Sequence, residues 1–340
     1  MSDSRKEAEE KMAKAIFISG DGWLCVFDLI TPFQLGLGIA LISHRFDYYI
    51  DEHFKTRKWA LKRIQIRSKI GENGKNQMEI SKYYVGKPLP IPQIPMPRKV
   101  IGFERIEINY IDRNVIAFLH LIEFRSSFCA IFGQSLEKTF VAFFLLSNGF
   151  RRLRKLVPSF LNDFPSLRVV NLCDADLFIE FPADDNAMAS DEQAMAKWLF
   201  TPRPDNVPKV FTCLFYPHDG NWSSKIEAFK AAFASDSSPV NFIVVIFVIS
   251  FASSVVPFDQ TNELTREQLA LKIIKKYNCF LLIRCPIARD ANKWAKWEKE
   301  AIDWRIYNRR NRINIYINDE REIGDGLLDA IPGPSDHDQK

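Results

Sequence analysis

ISGDGWLCVFDLITPFQLGLGIALISHRFDYYIDEHFKTRKW, Ile18 to Trp59, is the stretch whose reading decides the architecture. Trp23, Val26, Phe27 and Ile30 stand at i, i+3, i+4 and i+7, one apolar stripe of a helix, and Ser19 or Asp21 can cap its start. Thr31-Pro32-Phe33-Gln34 opens a second helix: Thr31 is the N-cap, Pro32 sits in the first turn where its missing N–H costs nothing, and Gln34 closes a capping box. Leu35, Ile39 and Ile42 line one face of that helix, and Leu37 and Leu41 line another. Arg45 and Phe46 lead into a third short helix through Ile50. Roughly 40 residues of helix, apolar on more than one side, cannot bury that surface alone. They pack either on the rest of the chain, as an ordinary helical hairpin of a core, or on another protein.

The sequence on either side favours the second arrangement. Residues 1–14 read as a charged, solvated lead-in and 15–59 as the helical module. Residues 60–98 are basic and then Pro-rich, with five prolines between Pro88 and Pro97. Each proline fixes φ and removes a donor, so this stretch is expected to be a stiff spacer, about 3.1 Å per residue in polyproline II. From 99 to 323 strand-like and helix-like segments alternate. Strands are expected at Phe103–Tyr110, Phe140–Leu146, Leu167–Leu172, Leu177–Phe181, Lys209–Tyr216 and Asn241–Ile249. Between them, Asp112 caps a helix with Val115, Ile116, Leu119 and Ile122 on one face, and Phe150–Phe164 has a helical period broken at Pro158. Ser190/Gln193 and Ser224/Glu227 are capping boxes. Leu269–Ile273 and Phe280–Cys285 read as a hairpin turning over Lys275–Asn278, with a helix from Thr265 as the rival. Asn292–Tyr307 is a helix with Trp294, Trp297, Ala301 and Trp304 on one face, expected to dock on the core. Residues 324–340 read as a disordered tail.

The fold class is therefore α+β and multidomain: a small helical module, then an α/β domain with parallel strands and crossover helices. One echo complicates the second part. Pro165-x-Leu167-x-x-Val170-x-Leu172 matches Pro208-x-Val210-x-x-Cys213-x-Phe215 and resembles the strand of a leucine-rich repeat. A degenerate solenoid and a layered sheet both remain open on sequence.

Composition excludes several functions. With 46 basic against 42 acidic residues the charge is too balanced to imply nucleic acid by itself, since phosphate binding needs clustered basic surface. Val240 to Val256 is short for a membrane span, carries Asn241 and three serines, and fits buried strand better. The six cysteines form no CxxC pair; the closest two, Cys279 and Cys285, have five residues between them. Reduced thiols, and with no secretory signal a place in cytoplasm or nucleus, are expected. The five histidines are scattered, with no metal-ligand spacing, P-loop, dinucleotide fingerprint or Gly-x-Ser-x-Gly elbow, so no metal or cofactor is expected. Asp184 and Asp185, after the strand expected at Leu177–Phe181, are the candidate acids of an α/β enzyme; as turn residues they need no such role.

The helical module has a family likeness. An apolar residue, a helix, Pro-x-x-Leu, then Leu-Ile-Ser-x-Arg-Phe resembles an F-box, which docks on the Skp-type adaptor of cullin–RING ubiquitin ligases. Over its fuller length the chain resembles the nematode-expanded group of F-box proteins, whose C-terminal part is taken to bind the target. The likeness implies a non-enzymatic substrate receptor with an adaptor contact at Ile18, Trp23, Phe27, Pro32, Leu35, Ile39, Leu41, Ile42, Arg45 and Phe46. The partners it implies are that adaptor and a protein substrate, with neither nucleic acid nor membrane. Ile18-Ser19 stands where the family has Leu-Pro, and Ser43 where it has Cys. The alternative is a ligase-independent binding protein with a vestigial module.

Overall fold

The computed structural model describes residues 18–30, 35, 39–56, 59–67, 69–70, 76–77, 91, 100–121, 141–145, 147–164, 167–172, 178–215, 222–248, 256–307, 312–317 and 322–324. The chain divides into two compact units, Met1–Leu61 with Arg98–Ile101, and Lys62–Pro97 with Gly102–Lys340. All but one residue of the expected Pro-rich spacer lies outside the described residues.

The smaller unit is helical. Helix α1 (Gly20–Phe27) is capped by Ser19, whose hydroxyl accepts from Gly22 N at 3.2 Å. Leu35 and Ile39 are helical, Ala40–Ile42 is a 3-10 turn, and α2 runs His44–Thr56, well past the expected end at Ile50.

Apart from the first residues of β1 and β4, which fall in the smaller unit, the larger unit is a mixed α/β structure with a ten-stranded sheet, ordered β1-β4-β12-β5-β6-β7-β8-β11-β10-β9. Its strands are β1 (Trp59–Ile66), β4 (Val100–Ile108), β5 (Val141–Leu145), β6 (Leu167–Leu172), β7 (Lys209–Phe215), β8 (Phe242–Val248), β9 (Phe258–Asn262), β10 (Glu267–Ile274), β11 (Cys279–Pro286) and β12 (Arg312–Ile315). Strands β2 (Lys69–Ile70) and β3 (Asn76–Gln77) form a separate ribbon. The stretch expected to be linker thus begins with a strand of the large sheet.

Strands β4, β12, β5, β6, β7 and β8 run parallel; β11, β10 and β9 continue antiparallel. This is a layered sheet, in which the last strand inserts between β4 and β5. The hairpin reading holds: Ile274 pairs with Cys279 across a 3-10 turn, and Asn278 takes the left-handed conformation at φ 49°. The rival helix at Thr265 does not form; residues 263–266 turn between β9 and β10.

Helices α3 (113–121), α4 (Ser147–Leu156), α5 (Asp191–Phe200) and α6 (Trp222–Ser235) precede or link the parallel strands. Asp112 caps α3, accepting from Val115 N at 2.8 Å, and Ser190/Gln193 form a complete capping box on α5. Helix α4 ends before Pro158, but the aromatic stripe continues: Phe160 and Phe164 pack on Phe143. Two expectations need correction. Helix α6 begins at Trp222, because that ring is buried against Phe178 and Phe280, so Ser224 and Glu227 lie inside the helix. Residues 178–181 are not strand; Phe181 instead packs edge-on to Phe200 and Phe229.

Right-handed crossovers in one direction put linking helices on one face. Phe242 accordingly meets Phe200 of α5 and Phe229 of α6. The opposite face is met by α7 (Ala291–Tyr307), whose Trp294, Ala301 and Ile302 join Ala142, Val169, Val210, Ile243, Ile283 and Cys285 in one apolar cluster, with Trp297 half-buried beside it. The expected docking face is thus formed by Trp294, Trp297 and Ala301; the Trp304 side chain lies outside the described residues. Since β11 ends beside the start of β8, and β12 starts beside the start of β5, both ends of α7 lie at the amino ends of the parallel strands. The helix crosses the strands there.

Charge is buried at the same end. Arg284 is fully buried and donates to Glu267 at 2.7 Å, Asp236 at 2.7 Å and Ser238 O at 2.7 Å, with Phe200 and Phe233 against its guanidinium. Glu267 also accepts from Val240 N at 2.8 Å, joining the hairpin to the entry of β8. Lys209 donates to Trp198 O and lies over the Trp198 ring. Burial pushes its ammonium down to about 7, and nearby Arg203 adds to the effect.

Two predictions follow from these buried charges. Replacing Arg284 by Leu strands the buried Glu267 carboxylate and is expected to cost about 3–5 kcal/mol, read from the urea midpoint. The Lys209 value is lowered in the fold, so the unfolded chain binds more protons between about pH 7 and the ordinary 10.5. Stability is expected to rise with pH from 7 to 9, and Lys209→Met to flatten that rise in thermal unfolding. Above pH 9 the buried thiols Cys213, Cys279 and Cys285, pushed up to about 12, 11 and 11, act with the opposite sign.

Candidate functional site

The helical unit has an interior of its own. Phe27, Leu35 and Ile50 are buried to 1% exposure or less, ringed by Trp23, Leu24, Ile30, Ile39, Ala40, Phe46, Tyr49 and Phe54. Trp23 meets Phe46 edge-on at 4.8 Å, and Phe27 lies 6.5 Å from Phe46, so α1 and α2 are held by aromatic contacts. Gly20 allows the entry of α1 to approach Tyr49; a Cβ there would stand 3.2 Å from that ring. Ser43 caps α2, its hydroxyl accepting from Phe46 N at 3.4 Å. That gives a local reason for the serine.

The ten candidate residues divide sharply. Phe27 and Leu35 are completely buried, and Trp23, Ile39 and Phe46 pack around them, so these five build the unit. Ile18 is half-buried before α1, and Pro32 lies outside the described residues. Leu41 and Ile42, by contrast, are 78% and 67% exposed. Arg45 is exposed on α2, with Nε 3.3 Å from the Tyr49 hydroxyl and its guanidinium over that ring.

Three more apolar side chains face solvent in this unit: Leu29 at 87%, Tyr48 at 61% and Val26. Sequence reading placed Val26 in the buried stripe and singled out neither Leu29 nor Tyr48. Helical period gives a face; it does not say that α2 would cover the Trp23–Phe27 side and leave Val26 outside. Five exposed large hydrophobics within residues 26–48 make an apolar surface that a unit of this size would hide if its own packing could reach it.

The acids proposed for an enzyme are differently engaged. Asp184 accepts from Asn186, through the backbone N at 3.1 Å and also through its side-chain amide, and Asp185 accepts from the Asn162 amide. They order the turn ahead of α5, and the described residues just before them, 178–183, are not strand. Among the described residues no group of three or more His, Cys, Asp or Glu could hold a metal. No described helix is long and apolar enough to cross a membrane, and the Val240–Val256 run supplies β8. No family model, curated protein or solved structure matches the chain.

Phe27→Ala is expected to lower the stability of the helical unit by about 3–5 kcal/mol. Leu41→Ser with Ile42→Ser should change it by no more than about 0.5 kcal/mol per substitution. Hydrogen exchange of peptides covering 18–56 in the full chain separates the two outcomes.

Proposed function

We propose that the chain is the substrate-recognition subunit of an SCF-type cullin–RING ubiquitin ligase. The helical unit is its F-box and docks on the Skp-type adaptor, and the α/β unit selects a protein target. The observation that carries this reading is the solvent-facing Leu29, Leu41, Ile42 and Tyr48 on a unit whose interior is already filled by Phe27, Leu35 and Ile50. Side chains of this kind, freed from any duty in the core, are what a partner can bury as an anchor. The order of Pro32, Leu35, Leu41-Ile42-Ser43 and Arg45-Phe46 supplies the family likeness.

The activity is one of placement. Holding a target beside a charged ubiquitin-conjugating enzyme raises the effective concentration of the target lysine, and no side chain of this chain need take part in the transfer.

The test is co-purification of the full chain with a Skp-type adaptor. Wild type should bind, and Leu41→Asp with Ile42→Asp should weaken binding by at least about 100-fold, as expected for a hot-spot pair losing several kcal/mol. Met188→Asp, which changes an exposed apolar residue of the other unit, should bind as wild type does. Undiminished binding by the Leu41/Ile42 variant refutes the interface, and absence of binding by wild type refutes the assignment.

A further inference from the structure

Among the described residues, β9 is the last strand on its side of the ten-stranded sheet and pairs only with β10. Proteins blunt such edges with lysine, proline or a bulge, because the outward N–H and C=O groups otherwise accept another strand. The strand at the opposite edge, β1, carries Lys62 and Arg63. Strand β9 reads Phe-Asp-Gln-Thr-Asn, with no lysine, arginine or proline, and its register with β10 runs unbroken from Phe258 to Asn262.

This edge is held firmly by its own unit. Asn262 is 4% exposed, and its Nδ2 donates to Phe233 O at 2.7 Å and to Asp236 O at 2.9 Å, tying the end of β9 to α6. Its Oδ1 accepts from Leu264 N at 2.9 Å and Thr265 N at 3.2 Å, which fixes the turn that follows. Lys230 of α6 lies over the Phe258 ring at 4.3 Å, and Asp259 accepts from the Gln268 amide. A strand ordered in advance loses little entropy when it pairs. Two large apolar side chains flank it in solvent: Val256, 73% exposed, and Leu264, 78% exposed.

The spacing of these residues is symmetrical about Gln260. Val256 and Leu264 stand four positions to either side, Phe258 and Asn262 two, and Asp259 and Thr261 one. An antiparallel pairing of β9 with a second β9, centred on Gln260, therefore opposes Val256 to Leu264 of the second copy, and Phe258 to its Asn262. It also opposes the exposed Asp259 carboxylate to the exposed Thr261 hydroxyl of the second copy, an acceptor to a donor. We infer that two copies of this chain associate edge to edge through β9, with Gln260 meeting its own equivalent on the two-fold axis. The contact belongs to the α/β unit and does not depend on what the helical unit binds. A strand of this length buries less than the ~1,200 Å² of a standard interface, so the dimer is a micromolar one and not obligate.

Sedimentation equilibrium of the full chain tests this. From about 2 to about 200 μM the wild type should pass from monomer towards dimer. Gln260→Lys and Gln260→Glu each set like charges directly across the axis, so each variant alone should stay monomeric. An equimolar mixture of the two should dimerise again, because opposite charges then meet, and that recovery also shows that both variants fold. Val256→Ser with Leu264→Ser, at two exposed positions, should weaken the wild-type dimer by at least about 10-fold. The inference is overturned if the wild type stays monomeric throughout, if either Gln260 variant alone dimerises as the wild type does, or if the mixture does not recover the dimer.

Discussion

A parallel sheet needs cover on both of its faces, and among the described residues the hand of the crossovers leaves one face to a single helix. Strands β5 to β8 are laid down in one direction, so α4, α5 and α6 share a side. The described cover on the other side comes from α7. Its 17 residues extend about 25 Å, against about 24 Å for the five strand spacings from β11 to β12. The helix is therefore long enough to cross that part of the sheet once. Its route is fixed by topology, because the strand before it ends, and the strand after it begins, at the amino ends of the parallel block. Trp294, Ala301 and Ile302 close the apolar rows there. Phe144, Val245 and Leu281 of the row nearer the carboxyl ends belong to the same cluster, and Glu107, Asn314, Asn171 and Thr212 of that row are buried too.

The helical unit meets a different form of the same shortage. Three short helical elements enclose a few large side chains, and Phe27, Leu35 and Ile50 take those places. Side chains of equal hydrophobicity a turn away have no interior left to enter. Leu41 and Ile42 sit on a 3-10 turn, where consecutive residues fan outward, and the Ser43 cap that starts α2 fixes the chain direction immediately after them. Their exposure is a consequence of geometry, and a second protein is a natural way to remove it from water.

The local features of the fold were readable from sequence because their physics is local. The Ser190 capping box, the Asp112 cap, the β10–β11 hairpin and the unbroken β-branched run of β8 each depend on a few adjacent residues. The misreadings came from long-range packing. Trp222 starts α6 early because Phe178 and Phe280 are there to receive it, and Phe181 leaves strand geometry for an aromatic cluster. The echo between Pro165–Leu172 and Pro208–Phe215 has a simple cause: β6 and β7 are neighbouring parallel strands that enter the sheet from the same end, so like residues meet like surroundings. The polar row could not be seen at all, since Glu107, Asn314, Asn171 and Thr212 are brought together only by the register of strands distant in sequence. In the helical unit the period of the stripe was correct, but Val26 and Phe27 could be told apart only once α2 was in place.

At both ends of the parallel block buried carboxylates are held by arginines. At the amino ends Arg284 satisfies two carboxylates and a carbonyl, Arg203 pairs with Asp205 at 2.7 Å, and Arg168 donates to Pro208 O at 3.1 Å and lies 3.7 Å from Glu300 of α7. These are closed arrangements in which each named donor meets an acceptor of the same unit, and such closure fixes a scaffold. At the carboxyl ends Glu107 is equally well held, yet three strands along from Asn314 on the same row the Thr212 hydroxyl is shielded from water without an acceptor or donor to meet it. Each end also keeps a buried polar atom with no partner among the described residues, Thr212 Oγ1 at one and Trp198 Nε1 at the other, so closure by arginine is what the two ends share and what holds the sheet together.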